Sequence, residues 1–298
     1  MPKEKLPLTD RLLCSLRTPK MTNDYIPQSE PEYGERSYNW RTAIGLQQVD
    51  GLVPSPYLLE TAKANIDGKI SLDEAGRLLA QYYSIKHPSS EDEKKQEEAD
   101  LVSHRIATIL AEKSFSLFPA ELVTIHDWLF EGIYDLAGVF RGYNLTKNEW
   151  VLGGDTVTYG SAGSLGMSLD SAFSRERDFN YAGLDDRAAS AHLAKFIASV
   201  WQIHPFNEGN TRTIAVFLIK YLRTLGYDVG NDTFERHSKY FRDALVRANY
   251  SNRKIKISAT TEYLDHFFGN LLLGENNSLK SRHLHIDPSI SGKQETGP

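Results

Sequence analysis

One stretch of this sequence gathers side chains that chemistry can use: His204-Pro205-Phe206-Asn207-Glu208-Gly209-Asn210-Thr211-Arg212. His204 carries an imidazole, which titrates near neutrality and can take a proton from a hydroxyl nucleophile. Pro205 fixes the backbone beside it and favours an extended conformation for the histidine. Phe206 is the apolar member and reads as an anchor into the core. Glu208 is a hard oxygen ligand, suited to one Mg2+ that also touches phosphates. Gly209 permits positive φ and close approach of a ligand to the backbone. Asn210 can cap a following helix. The first turn of that helix offers free amides and a positive dipole end, which together make an anion site. Arg212 adds a forked cation suited to phosphate oxygens. Base, metal ligand, amides and arginine converge on one polyphosphate.

Two elements must hold this loop. Residues 186–202 and 210–224 both read as amphipathic or buried helices, and a loop pinned between core helices suits a catalytic constellation. Helical spacing also marks 99–112, 119–134, 164–175, 235–247 and 260–273. Residues 139–145 and 151–159 are rich in β-branched and aromatic residues around a turn at Asn148, and predict a β-hairpin. Ahead of these lies a small helical module over 37–87. Its first helix (38–49) is stopped by Asp50-Gly51, its second starts at Ser55-Pro56, and its third opens on a capping box at Ser71-Leu72-Asp73-Glu74. Residues 1–36, rich in proline, are expected as an extended arm with a short helix at 10–16. Residues 88–100, dense in charge, are expected as a linker, 101–275 as the main domain and 276–298 as a polar, poorly ordered tail.

The chain has 298 residues, 40% of them hydrophobic and 24% charged, an ordinary globular balance. The single cysteine, Cys14, excludes an intramolecular disulfide. The net charge of −5 lacks the basic excess of a general nucleic-acid binder. No apolar run approaches the roughly 20 residues that span a bilayer, and no secretory signal is read at the N-terminus. The expectation is a cytoplasmic protein without membrane or nucleic-acid partners, with a homo-oligomer left open. The histidines outside the loop form no metal-ligand pattern. His126, on an expected core helix, reads as packed or hydrogen-bonded.

The loop resembles the Fic motif, His-x-Phe-x-(Asp/Glu)-Gly-Asn-Gly-Arg-x-x-Arg, with His204, Phe206, Glu208, Gly209, Asn210 and Arg212 matching. The resemblance runs from about Phe118 to Tyr250 and implies a mostly α fold: a helical bundle core with a β-hairpin flap, preceded by a small helical module. It further implies a protein adenylyltransferase, moving AMP from ATP to a Ser, Thr or Tyr hydroxyl of a target protein. His204 would be the general base, and Glu208 would hold Mg2+. Gly209, Asn210 and Thr211 would cradle phosphates, and Arg212 would neutralise the leaving group. Asn249 would touch the adenine, and Thr146 and Lys147 on the flap would dock the target. Two positions depart from the pattern: Thr211 replaces the second glycine, and Ala215 replaces the last arginine, which contacts the γ-phosphate in the family. The alternative is therefore a nucleotide-binding regulatory or interaction protein with weak or altered transfer, through another donor or removal of AMP. The module resembles the antitoxin-like partner of some Fic proteins, whose inhibitory (Ser/Thr)-x-x-x-Glu-Gly pairs with that last arginine. Here Leu46, Asp50 and Gly51 occupy its positions. The expectation is a degenerate switch, a shortened acid with no arginine partner.

Overall fold

The structure is a computed structural model that describes residues 30–286. The described residues contain ten α-helices. They are α1 Tyr33–Leu46, α2 Pro56–Ile66, α3 Leu72–Lys86, α4 Glu91–Ala111, α5 Pro119–Phe130, α6 Leu165–Arg177, α7 Asp186–Ile203, α8 Asn210–Thr224, α9 Thr233–Ala248 and α10 Glu262–Leu272. Side-chain caps set several starts. Ser55, Ser71 and Asp185 accept from the amides of Leu58, Glu74 and Ala188 at 3.0, 3.0 and 2.7 Å. Ser90 and Glu93 form a reciprocal capping box.

Helix α8 is buried almost all round, as its apolar run Ile214 to Ile219 requires. It is covered by α5, α4 and α7. Helix α7 packs in turn on α6 and α10, and α9 packs on α10 and α1. The N-terminal helices therefore join the main core. Helix α1 lies against α4 and α9, and Gly45 is the reason it can come so close: a Cβ there would collide with the backbone of Glu235. Ser238 Oγ donates to the Gly45 carbonyl at 2.6 Å, and Trp40 Nε1 to Asn65 Oδ1 at 2.8 Å, both in buried positions.

Three expectations are corrected. The charged stretch 88–100 is largely the first half of α4, because the Ser90–Glu93 box starts the helix there and Asp100 is buried on Ser55 and Tyr83. No strand is present among the described residues, so 139–159 is not a regular hairpin. The chain does double back, with the Glu149 amide donating to Asp155 O at 2.9 Å, but a 3-10 turn at Trp150–Leu152 and the positive-φ Gly153-Gly154 replace a ladder. Residues 278–286 are not loose: Leu279, Leu284 and Ile286 are buried, and the Ile286 amide donates to Val151 O at 2.8 Å. The expected helix at 10–16, Cys14 and most of the arm lie outside the described residues, as does 287–298.

Candidate active site

Helix α7 ends at Ile203 and α8 begins at Asn210, so the six residues between are fixed at both ends. His204 closes α7 in the left-handed region (φ 50, ψ 62), not in the extended conformation expected before proline. That turn points its imidazole back under the protein. The ring lies between Trp201 and Tyr159, with centroids 5.3 and 4.5 Å away. Its Nδ1 lies 3.3 Å from the Trp201 carbonyl, which places the proton on Nδ1. Nε2 is left as a buried lone pair with no partner. Burial, then the charge of Lys147, holds the imidazole well below its ordinary pKa, so it stays neutral around pH 7 with its lone pair unprotonated.

His126 on α5 underlies the loop. Its Nδ1 accepts from the Gly138 amide at 2.9 Å, its Nε2 donates to the Glu208 carbonyl at 3.1 Å, and its ring stacks on Phe206 at 3.7 Å. Both ring nitrogens are used in the neutral form, and burial pushes its pKa down to about 4. Phe206 is the buried anchor expected of it.

Asn210 does not cap the helix. Gly209 holds the cap position at φ 72, where a Cβ would also strike the Phe130 ring. The Asn210 side chain reaches back instead, accepting from the Phe206 amide at 3.0 Å and donating to the Phe206 carbonyl at 2.8 Å, which ties the loop into a ring. Thr211 is pinned as well: its hydroxyl accepts from Trp201 Nε1 at 2.9 Å, so the replacement for glycine braces α8 against α7. The helical ladder starts at Thr213, whose amide donates to Gly209 O, so the amides of residues 210–212 precede it.

Glu208 is exposed, and its carboxylate meets Lys147 Nζ at 3.2 Å. The flap lysine and the loop carboxylate, far apart in sequence, thus meet. Thr146 is exposed nearby on the chain, and Thr156 Oγ1 accepts from the Lys147 amide at 3.3 Å. Asn249 caps the end of α9, its amide donating to Ala198 O and Leu245 O, both at 3.0 Å.

Arg212 is 1% exposed and faces the N-terminal helices. Its Nε pairs with Asp50 at 2.8 Å and its Nη2 with Glu98 at 2.7 Å. Nη1 donates to Gln47 Oε1 at 3.1 Å, Nη2 also to Tyr134 OH at 2.8 Å, and the guanidinium lies over the Phe130 ring. This corrects the expectation for Asp50. It does have an arginine partner, the first arginine of the motif. The 3-10 turn Gln47–Asp50, ended by Gly51 at φ 70, continues α1 by one tight turn and carries the carboxylate down to it. Leu46 is buried in the core at the head of that turn. Ala215 is also fully buried, within α8.

Arg141 is the main residue whose role the sequence did not disclose. It is buried, and its guanidinium donates to the carbonyls of His204 (2.8 Å), Tyr143 (2.6 Å) and Ile203 (3.2 Å) and to that of Gly160. Its amide donates to Pro205 O at 2.9 Å. It ties both arms of the flap to the loop. Only an arginine inside an apolar, aromatic stretch could have hinted at this. Glu98, hidden in a charged run, carried no signal at all.

No helix is long and apolar enough to cross a membrane, and no cluster of metal-ligating side chains exists among the described residues. Residues 116–222 match the model of the Fic/DOC family. The curated relatives include protein adenylyltransferase VbhT of Bartonella schoenbuchensis, 26% identical over 164 residues, which are 55% of this chain and 33% of that protein. Also similar is the Sinorhizobium fredii protein named probable protein adenylyltransferase y4lH, 32% identical over 138 residues, 42% of this chain and 61% of that one. The chain thus spans a third to three-fifths of these relatives. Among solved structures, the N-terminal Fic domain of a VirB-translocated Bep effector from Bartonella quintana superposes with a TM-score of 0.48 at 20% identity, over 62% of this chain and 86% of that one. The segment that carries His126, the flap and the His204 loop, residues 116–222, belongs to the Fic/DOC family.

Proposed function

We propose that this protein is an adenylyltransferase that moves AMP from ATP to a Ser, Thr or Tyr hydroxyl of a target protein, working in the cytoplasm where ATP is available. The observation that carries the reading is His204 Nε2, a buried and unpartnered lone pair whose tautomer is set by the Trp201 carbonyl. It sits beside a helix start with free amides. His204 takes the hydroxyl proton as that oxygen attacks the α-phosphorus, and pyrophosphate leaves. The amides of residues 210–212 face the phosphates. Asn249 lies toward the adenine, and Thr146 and Lys147 dock the target.

Glu208 suits Mg2+: it is one exposed hard oxygen donor, and Lys147 already places a cation beside it. Glu208 would hold the ion, which would supply neutralisation of phosphate charge. The test is incubation with Mg2+ and ATP labelled at the α-phosphate, alongside His204→Ala. Label on the protein itself or on lysate proteins, absent from the variant, supports the reading. Equal labelling of both proteins would sink it.

A second reading has its own observation. Arg212 is held by two carboxylates and Ala215 offers no second cation, which favours a nucleotide-binding regulatory protein with weak or altered transfer. Tight ATP binding without label transfer, even after Asp50 is removed, would favour it.

A further inference from the structure

The family pattern places a second arginine at position 215, and this chain has a fully buried alanine there. If ATP is the donor, as proposed above, its terminal phosphates need another cation. Helix α9 carries a candidate, Arg242, on the side of the molecule where the turn Gln47–Asp50 packs. Arg242 is 23% exposed in its side chain, and its Nη2 is held by Glu149 at 2.7 Å. Glu149 is fully buried, and its other oxygen accepts from Tyr159 OH at 2.8 Å. Tyr159 is the residue whose ring lies 4.5 Å from that of His204. A chain of three contacts therefore leads from the imidazole to the guanidinium.

Arg242 is linked to the Arg212 site through Asp50, the partner of Arg212. The turn that carries Asp50 packs on α9, and the charges of Arg242 and Asp50 act on one another. The positive charge of Arg242 reaches His204 as well. Asp243, the nearest other acid on α9, lies 3.7 Å from Nη1, too far for a strong pair. Glu149 engages one edge of the guanidinium, and a planar fork with five donors keeps others for an anion.

We propose that Arg242 is a phosphate-binding residue of this site, supplying from α9 the cation for the terminal phosphates of ATP that Ala215 cannot. Asp50 pairs with Arg212 from a turn packed on α9, so under this proposal a polyphosphate and the Asp50 carboxylate compete for the same cations.

The rival role is structural: Arg242 merely neutralises buried Glu149. Nucleotide binding to the full chain separates the two, measured by calorimetry with ATP and with AMP in an Asp50→Ala background. Glu149→Gln is added so that removing the arginine strands no buried carboxylate, and thermal melts confirm folding. Arg242→Gln with Glu149→Gln is expected to weaken ATP binding at least tenfold and AMP binding less than twofold. Glu149→Gln alone should leave both affinities within twofold, and Arg242→Lys should give an intermediate loss for ATP. Equal losses for ATP and AMP, no loss for either, or the same loss from Glu149→Gln alone would overturn the proposal. Failure of Asp50→Ala itself to bind ATP would overturn both this proposal and the ATP-dependent reading beneath it.

Discussion

Asp50 and Arg212 form an ion pair at 2.8 Å between a tight turn near the N-terminus and the first turn of α8, with the arginine buried and the acid partly exposed. The motif arginine of the loop is thereby engaged by the N-terminal helices. Asp50→Ala should release it while Glu98, Gln47 and Tyr134 keep it folded in place. The expected outcome is a several-fold rise in label transfer from α-labelled ATP with an unchanged melting temperature. An unchanged transfer rate would show that the pair does not limit the proposed transfer.

His204 should impose no pH limit near neutrality. Its pKa lies well below the ordinary value because burial and the Lys147 charge disfavour the imidazolium. The neutral form therefore persists as pH falls from 8 to 6, and transfer should stay flat across that window. An acidic limb centred near 6.5 would contradict this. Lys147→Ala removes one of the repelling charges and should move the limb to higher pH. His204→Ala should lower transfer at least about 100-fold.

Arg141 holds loop and flap by hydrogen bonds to four carbonyl oxygens. Arg141→Met leaves these buried acceptors unpaired and should cost about 3 kcal/mol of stability. Arg141→Lys cannot reproduce the planar fork and should recover only part of that. Urea denaturation of the three proteins checks the order.

His126 makes folding pH-dependent. Its folded pKa is depressed to about 4 by burial, while the unfolded chain protonates near 6.5. Between those values the unfolded state binds the extra proton, so stability falls as pH falls through 6.5 toward 4. From pH 7.5 to 5 this one residue should remove about 2 kcal/mol. His126→Gln should shrink the pH slope of the unfolding free energy by that amount. An unaltered slope would mean that the ring is not held neutral.

The sequence by itself determined the local features. Gly51, the Ser55-Pro56 start, the Ser71 cap and the span of α8 are written in neighbouring residues, since helix caps and apolar periodicity act over a turn or two. The loop with His204, Glu208 and Gly209 was legible for the same reason. Where the flap was concerned, local propensity misled. Val139 to Tyr159 has strand-forming residues, but the side chains of Arg141 and Thr156 take up the Tyr143 carbonyl and the Lys147 amide, backbone groups that a ladder would use. Only the tertiary structure decided the partners across distance. The pairing of Asp50 with Arg212 in place of position 215, the arrival of Glu98 within α4 and the seat of Arg242 on Glu149 depend on how helices cross. Crossings follow from close approaches such as Gly45 against Glu235, and no periodicity in either segment encodes which residue of the other it will meet.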